Sequence, residues 1–236
     1  MKEKVAISWS GGKDCALALF EIRQSKKYEA LSLHTVFNLD TNRVGLHGIK
    51  QYLIEQQAQS LGIPLDKIFI PSTEDHAAYE NAMHKYYQPL GEAGIRTIVF
   101  GDIFLEDLKA YREKMLSSHG LIGVFPLWKA NSQNVAEKFI GTGFKAIICA
   151  VDARYFSKSD VGREYDLAFI ESLPVDVDPC GENGEFHTFV YDGPVFDKPV
   201  SFERHWAEAK KYSFKVKLPN GQSESRTSTF WFQELS

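Results

Sequence analysis

The stretch KVAISWSGGKDCALALFEI, residues 4–22, decides how the rest of the chain is read. It opens as a strand, is interrupted by Ser10-Gly11-Gly12-Lys13-Asp14, and resumes without a break as an apolar run of helical character. Two glycines at such a junction allow a tight turn, and the helix that follows directs its positive end to the same point. In an open parallel sheet, ligands gather at the carboxyl ends of the strands, which is where residues 10–14 fall. The expected guest is an anion, phosphate above all. A plain glycine turn is the alternative, and the charged Lys13 and Asp14 inside it argue against that.

The two commonest phosphate loops do not fit. Gly11-Gly12-Lys13-Asp14 lacks the four-residue gap and the hydroxyl of the nucleotide-hydrolase loop, and no G-x-G-x-x-G follows the strand.

Working outward, strands and helices alternate. ALSLHTVF precedes a helix with Leu46, Ile49, Leu53, Ala58 and Leu61 at three- and four-residue steps. KIFIPS precedes a helix presenting Tyr79, Met83, Tyr87 and Leu90, and RTIVFGDI precedes one presenting Leu105, Leu108, Arg112 and Met115. LIGVFPLW supplies a fifth strand. This alternation predicts an α/β fold, a five-stranded parallel core with helices on both faces, because each parallel neighbour needs a crossover.

Beyond Trp128 the texture changes. A helix with Val135, Phe139 and Ile140 precedes the strand FKAIICAV, and then come EFHTFVYD, KYSFKVKL and STFWFQEL, with Pro219-Asn220-Gly221 as a hairpin turn. The expected division is residues 1–128 as a nucleotide-binding domain and 129–236 as a smaller α+β domain completing the site. Trp206, Trp231 and Phe232 are expected to pack the latter.

Composition narrows the function classes. Over 236 residues, 27 Lys and Arg stand against 31 Asp and Glu, a net charge of −4, so a general electrostatic grip on nucleic acid is not expected. Three cysteines without a CxxC pair argue against a disulfide framework or a zinc knuckle and suit a reducing, cytoplasmic setting. No cleavable leader and no membrane span is expected. His34 and Cys149 lie within apolar strands as packing residues, whereas Cys180 has the most reactive setting of the three thiols.

A second polar cluster stands at GENGEFHTF, residues 181–189. In an extended chain Glu185 and His187 share a face opposite Phe186 and Thr188. With Glu182 they could orient a nucleophile, take its proton or hold magnesium, or form a hydrogen-bonded structural turn. Asp102, after Gly101 at the end of the fourth strand, could face the nucleotide or cap the next helix. Arg112 could counter developing charge or decorate that helix.

The loop Ser10-Gly11-Gly12-Lys13-Asp14-Cys15 resembles the SGGxDS pyrophosphate loop of the ATP pyrophosphatases, with Cys in place of the last Ser. GDI at 101–103, PLW at 126–128, PCGENGEFHTFVYDGPVF at 179–196 and the pattern around His47 and Ala58 are similar to the diphthine–ammonia ligase family within that superfamily. The resemblance implies a Rossmann-like, adenine nucleotide alpha hydrolase-like fold using ATP and Mg2+. It implies a carboxylate activated by adenylation with release of pyrophosphate, then attacked by ammonia, as in conversion of diphthine to diphthamide on elongation factor 2. It implies that Ser8, Ser10, Gly11, Gly12, Lys13, Asp14, Cys15, Gly101 and Asp102 bind the nucleotide, with Asp14 also toward magnesium. Lys13, Asp14, Glu182, Glu185 and His187 would be catalytic. The same chemistry on a small metabolite or an RNA, and a nucleotide-binding module without catalysis, are the alternatives. A homodimer is expected from the aromatic content of the C-terminal part.

Overall fold

The computed structural model describes residues 2–71, 76–217 and 223–236. Its organising strand is β1 (Glu3–Ser8), which is apolar on both sides because both are covered. Val5 and Ile7 enter one core and Ala6 the other, all with no exposure. β2 (Tyr28–Asn38) pairs parallel to β1 on one side and β5 (Thr97–Val99) on the other. β4 (Leu65–Ile70) lies beyond β2 and β6 (Ile122–Val124) beyond β5, which completes the expected five parallel strands.

Four helices make the crossovers. α1 (Lys13–Ser25) and α2 (Gln51–Leu61) bury Leu17, Leu19, Leu53 and Ile54 in the core of Val5 and Ile7. α3 (His76–Tyr87) and α4 (Glu106–Ser117) bury Met83, Tyr87, Met115 and Leu116 with Ala6 and Ile98 on the opposite face. The order β4-β2-β1-β5-β6 reverses direction between β1 and β5. That reversal opens a crevice where the chain leaves those two strands.

Several boundaries differ from expectation. β2 does not run straight into a helix, because β3 (Arg43–Val44) first folds back antiparallel on it. Leu46 and Ile49 therefore precede α2, Leu46 in an exposed turn and Ile49 buried. Leu90 is buried in the turn after α3 rather than on it. Apolar spacing marks burial, and a turn that folds against the core meets the same spacing as a helix.

The second sheet is antiparallel throughout, in the order β8-β7-β10-β9. It comprises β7 (Lys145–Asp152), β8 (Phe186–Asp192), β9 (Arg204–Lys217) and β10 (Ser223–Leu235), with α5 (Ser132–Gly141) and α6 (Leu167–Glu171) in the intervening chain. Asn131 and Asp166 cap these two helices, each accepting from a backbone N–H three residues on. Phe139, Ile147, Phe186 and Phe189 belong to the same continuous core as α1 and β1. Phe232 is buried and Trp231 packs against the core, but Trp206 is 63% exposed at the start of the edge strand β9. The expected turn at Pro219-Asn220-Gly221 lies outside the described residues.

The sheets are joined by specific bonds. Val190 N donates to Gly11 O at 2.9 Å, and Asp197 N to Ser60 O at 2.8 Å. Buried Gln57 accepts from Trp9 Nε1 at 2.8 Å and donates to Gly11 O at 3.0 Å and Val190 O at 2.6 Å. At the far end of the seam, Glu234 of β10 pairs with Arg43 Nη2 at 2.9 Å and Lys50 Nζ at 2.5 Å, the two residues that bracket the turn carrying His47.

Candidate active site

Gly11 has φ +83°, and a Cβ there would lie 2.5 Å from Ile54 Cδ1. Only glycine both turns this way and fits under α2. The chain then enters α1, whose first amides lie outside the helical ladder and direct positive potential into the crevice. Lys13 N is held by Thr188 Oγ1 at 3.0 Å, so the loop is docked onto β8 at the helix start. On the other side Gly101, just past β5, approaches the first turn of α1 so closely that a Cβ would fall 2.6 Å from the carbonyl carbon of Asp14.

These contacts enclose a cavity of about 300 Å3 with three walls. Ser8, Ser10, Lys13, Asp14 and Cys15 form one; Phe100, Gly101, Asp102, Leu105, Leu108 and Arg112 form the second. Cys180, Glu182, Phe186, His187 and Thr188 form the third, with His47 beside them. Gly11 and Gly12 shape the loop behind the first wall. Segments as far apart in sequence as Ser8 and Thr188 thus meet in one place.

Lys13 is the hub. Its Nζ donates to both Asp14 oxygens, at 2.9 and 2.8 Å, and to Cys180 O, and it lies 5.6 Å from the centroid of Phe186. Burial disfavours its charge, and the acidic groups around it, Asp14 foremost, together hold the ammonium above its ordinary range. Both Asp14 oxygens are engaged by this ammonium. Among the described residues no group of three or more His, Cys, Asp or Glu is placed to hold a metal ion.

Glu182 crosses the crevice. Its Oε1 accepts from Ile103 N at 2.7 Å, tying the polar turn to the end of β5, and burial lifts its carboxyl to about 7. Asp178 shapes the same turn by accepting from Cys180 N at 2.9 Å and Glu182 N at 3.2 Å. Asp102 does not cap α4, whose N-cap is Leu105; it pairs with Arg112, Nε to Oδ2 at 2.8 Å.

Glu185 does not line the cavity. It is 3% exposed, and its Oε1 accepts from Asp178 N at 3.1 Å and Asn183 Nδ2 at 3.0 Å, so it braces the turn from behind. The expected pairing of Glu185 with His187 on one strand face fails because Glu185 precedes β8; opposite His187 and Thr188, which pair with Ala150 and Ile148, Cys149 of β7 forms a bulge. His187 reaches the cavity, its ring 4.5 Å from that of His47. Burial drives both imidazoles below the ordinary range, His47 to about 4, so both are neutral at pH 7. His187 Nε2 is buried without a hydrogen-bond partner among the described residues.

Cys180 is not reactive. It is 1% exposed, its thiol donates to Ser132 O at 3.3 Å, and burial pushes it up to about 12. Cys15 is likewise buried, its thiol on Gly12 O at 3.1 Å, which gives the position a loop-closing contact in place of the usual hydroxyl. The wall of Phe100, Leu105 and Leu108 was not among the expected site residues, nor was His47 named as a ligand-facing group. The one sequence signal for His47 is its place in the pattern around His47 and Ala58, and for Thr188 its place in the motif beginning at Pro179.

Comparison with known proteins matches the two halves to two family models. Residues 3–123 match the diphthamide synthase N-terminal domain and residues 131–218 the diphthamide synthase C-terminal domain. A diphthine–ammonia ligase of Mus musculus is 26% identical over 225 residues, 84% of this chain and 82% of that protein. One of Schizosaccharomyces pombe is 27% identical over 92 residues, which is 37% of this chain and only 15% of that protein's length. Among solved structures, a U34-tRNA thiolase of Methanococcus maripaludis with its 4Fe-4S cluster has a TM-score of 0.38 at 14% identity, covering 60% of this chain and 58% of that one.

Proposed function

Because the chain belongs to the diphthamide synthase family, we propose that it is an ATP-dependent ligase that adenylates a carboxylate, releases pyrophosphate and transfers ammonia to form an amide. We take the acceptor to be diphthine on elongation factor 2. The observation that carries this reading is convergence: the loop of residues 10–15 and the turn of residues 178–188 open into one cavity with Lys13 between them.

In this reading the amides that begin α1 and the Lys13 ammonium stabilise charge on the departing pyrophosphate. Lys13 is suited to this because it is charged, desolvated and already in place. Magnesium would be held by Asp14, the carboxylate of the loop, together with phosphate oxygens of the nucleotide. When bound, it would neutralise phosphate charge. The neutral rings of His47 and His187 offer hydrogen bonds to the incoming nitrogen without opposing an ammonium ion. Glu182 is the carboxylate positioned to take its proton. Glu185 acts indirectly, by holding the turn.

The test is release of AMP and pyrophosphate from ATP with magnesium and ammonium, comparing diphthine-bearing elongation factor 2 with a metabolite extract. Release that requires the factor and vanishes in Lys13→Ala is the expected result. Release only with the extract would retain the chemistry and remove diphthine; ATP bound but left intact in both would leave a nucleotide-binding module.

A further inference from the structure

The second wall of the cavity has a design that phosphate binding does not explain. Arg112 lies with its guanidinium 4.5 Å from the centroid of Phe100, and its Nη2 donates to Asp102 Oδ1 at 3.2 Å. Its Nε is 2.8 Å from Asp102 Oδ2, yet both of these atoms are buried and neither is aligned for a hydrogen bond among the described residues. The side chains are 21% and 11% exposed. An ion pair desolvated to this degree and imperfectly bonded returns little stability for what its dehydration costs. A guanidinium has five N–H donors in a rigid fork, and here one edge is held by Asp102 while the plane is held by Phe100. Among the described residues nothing else bonds the rest of the fork, and Arg112 lines the cavity.

We infer that Arg112 is the specificity residue for the acceptor, and that its guanidinium, held by Asp102 and Phe100, binds the carboxylate that is to be activated. The inference rests on the ligase reading above. Three features favour a carboxylate here over the phosphates of ATP. Residues 10–15 already provide the amides and cation a polyphosphate needs. Asp102 would repel a multiply charged phosphate chain more than a single carboxylate. Leu105, Leu108 and Arg112 line the cavity at the three- and four-residue spacing of one helical face, so an apolar wall flanks the charged fork and suits the organic body of an acceptor. Because Gly101 brings this wall against the Asp14 backbone, a carboxylate on Arg112 would stand next to the phosphate loop.

The experiment measures steady-state KM for diphthine-bearing elongation factor 2, and ATP affinity by calorimetry, in the wild type, Arg112→Ala and Arg112→Lys. The expected result is a KM for the factor raised about tenfold or more in Arg112→Ala, with ATP affinity within about twofold of wild type. Arg112→Lys should recover only part of the loss, because an ammonium cannot make the forked contact. A factor KM that stays unchanged, or a loss confined to ATP affinity, overturns the inference and puts Arg112 on the nucleotide. If Arg112→Ala fails to fold, Arg112→Lys decides alone: unchanged factor KM refutes the proposal and a raised one supports it. A wild type that releases no AMP with the factor refutes the ligase reading itself, a result distinct from an active wild type whose factor KM does not depend on Arg112.

Discussion

Gly101, Gln57 and Glu182 show how single positions carry this site. A Cβ at Gly101 would fall 2.6 Å from backbone that cannot move without unseating α1. Gly101→Ala should therefore cost about 1–3 kcal/mol in urea unfolding and displace the Asp14 end of the loop. Gln57→Leu keeps the volume but strands the indole N–H of Trp9 and takes a donor from Val190 O and from Gly11 O, the latter keeping its bond from Val190 N; at about 1–3 kcal/mol for an unsatisfied buried group it should be clearly destabilising, read by the same method. Glu182 predicts a pH dependence. Its folded carboxyl titrates near 7 against an ordinary 4.5, chiefly through burial, so folding favours the protonated form. Its contribution is complete below pH 4.5 and is lost as the pH rises to about 7. In Glu182→Gln, which keeps an acceptor for Ile103 N, unfolding free energy should lose that part of its decline over this interval. An unchanged profile would mean that the wild-type carboxyl is already ionised there. The importance of residues 10–15 is plain in the local sequence because strand, glycines and helix adjoin. The role of Gln57 is not, since a glutamine amid apolar neighbours looks the same whether it is solvated or bonded to three partners.

At the scale of elements, the telling case is β10, whose stretch of sequence carries no functional motif. Glu234 holds Arg43 and Lys50, and Phe232 stands where a Cβ on Gly48 would be, 2.6 Å away. The last strand therefore clamps the turn that carries His47 to the cavity. Glu234→Ala leaves two cations without their carboxylate, and the turn should open to water. The titration of His47, held to about 4 by burial, should then move up toward 6.5. Histidine NMR reads this without reference to any activity; a His47 value that stays put would show that the turn holds itself. The helices were legible from their apolar spacing because each has a wet and a buried face. β3 was not legible, since two residues carry no periodicity, and the bulge at Cys149 was not, since it depends on how β7 and β8 pair.

Across the whole molecule, one core joins Val5 and Ile7 of the parallel sheet to Ile147 and Phe189 of the antiparallel one, with α1 in the same cluster. Unfolding followed by tryptophan fluorescence and by far-ultraviolet circular dichroism should give coincident transitions. Two separated midpoints would show halves that are stable independently, and a stable fragment of residues 1–130 would say the same. The sequence by itself determined the alternating α/β order, the parallel sheet and the strand–glycine–helix junction at residues 10–15, because these follow from periodicity and from neighbours a few residues apart. It also marked the turn at residues 179–188 as chemical, by crowding polar groups into a short segment. Only the tertiary structure decided that Glu185 braces that turn from behind, that Cys180 is an inert buried thiol, that Asp102 pairs with Arg112, and that His47 and Thr188 join the site. Each of those depends on burial and on partners tens of residues away, and local pattern does not encode which distant backbone will take a hydrogen bond or exclude water.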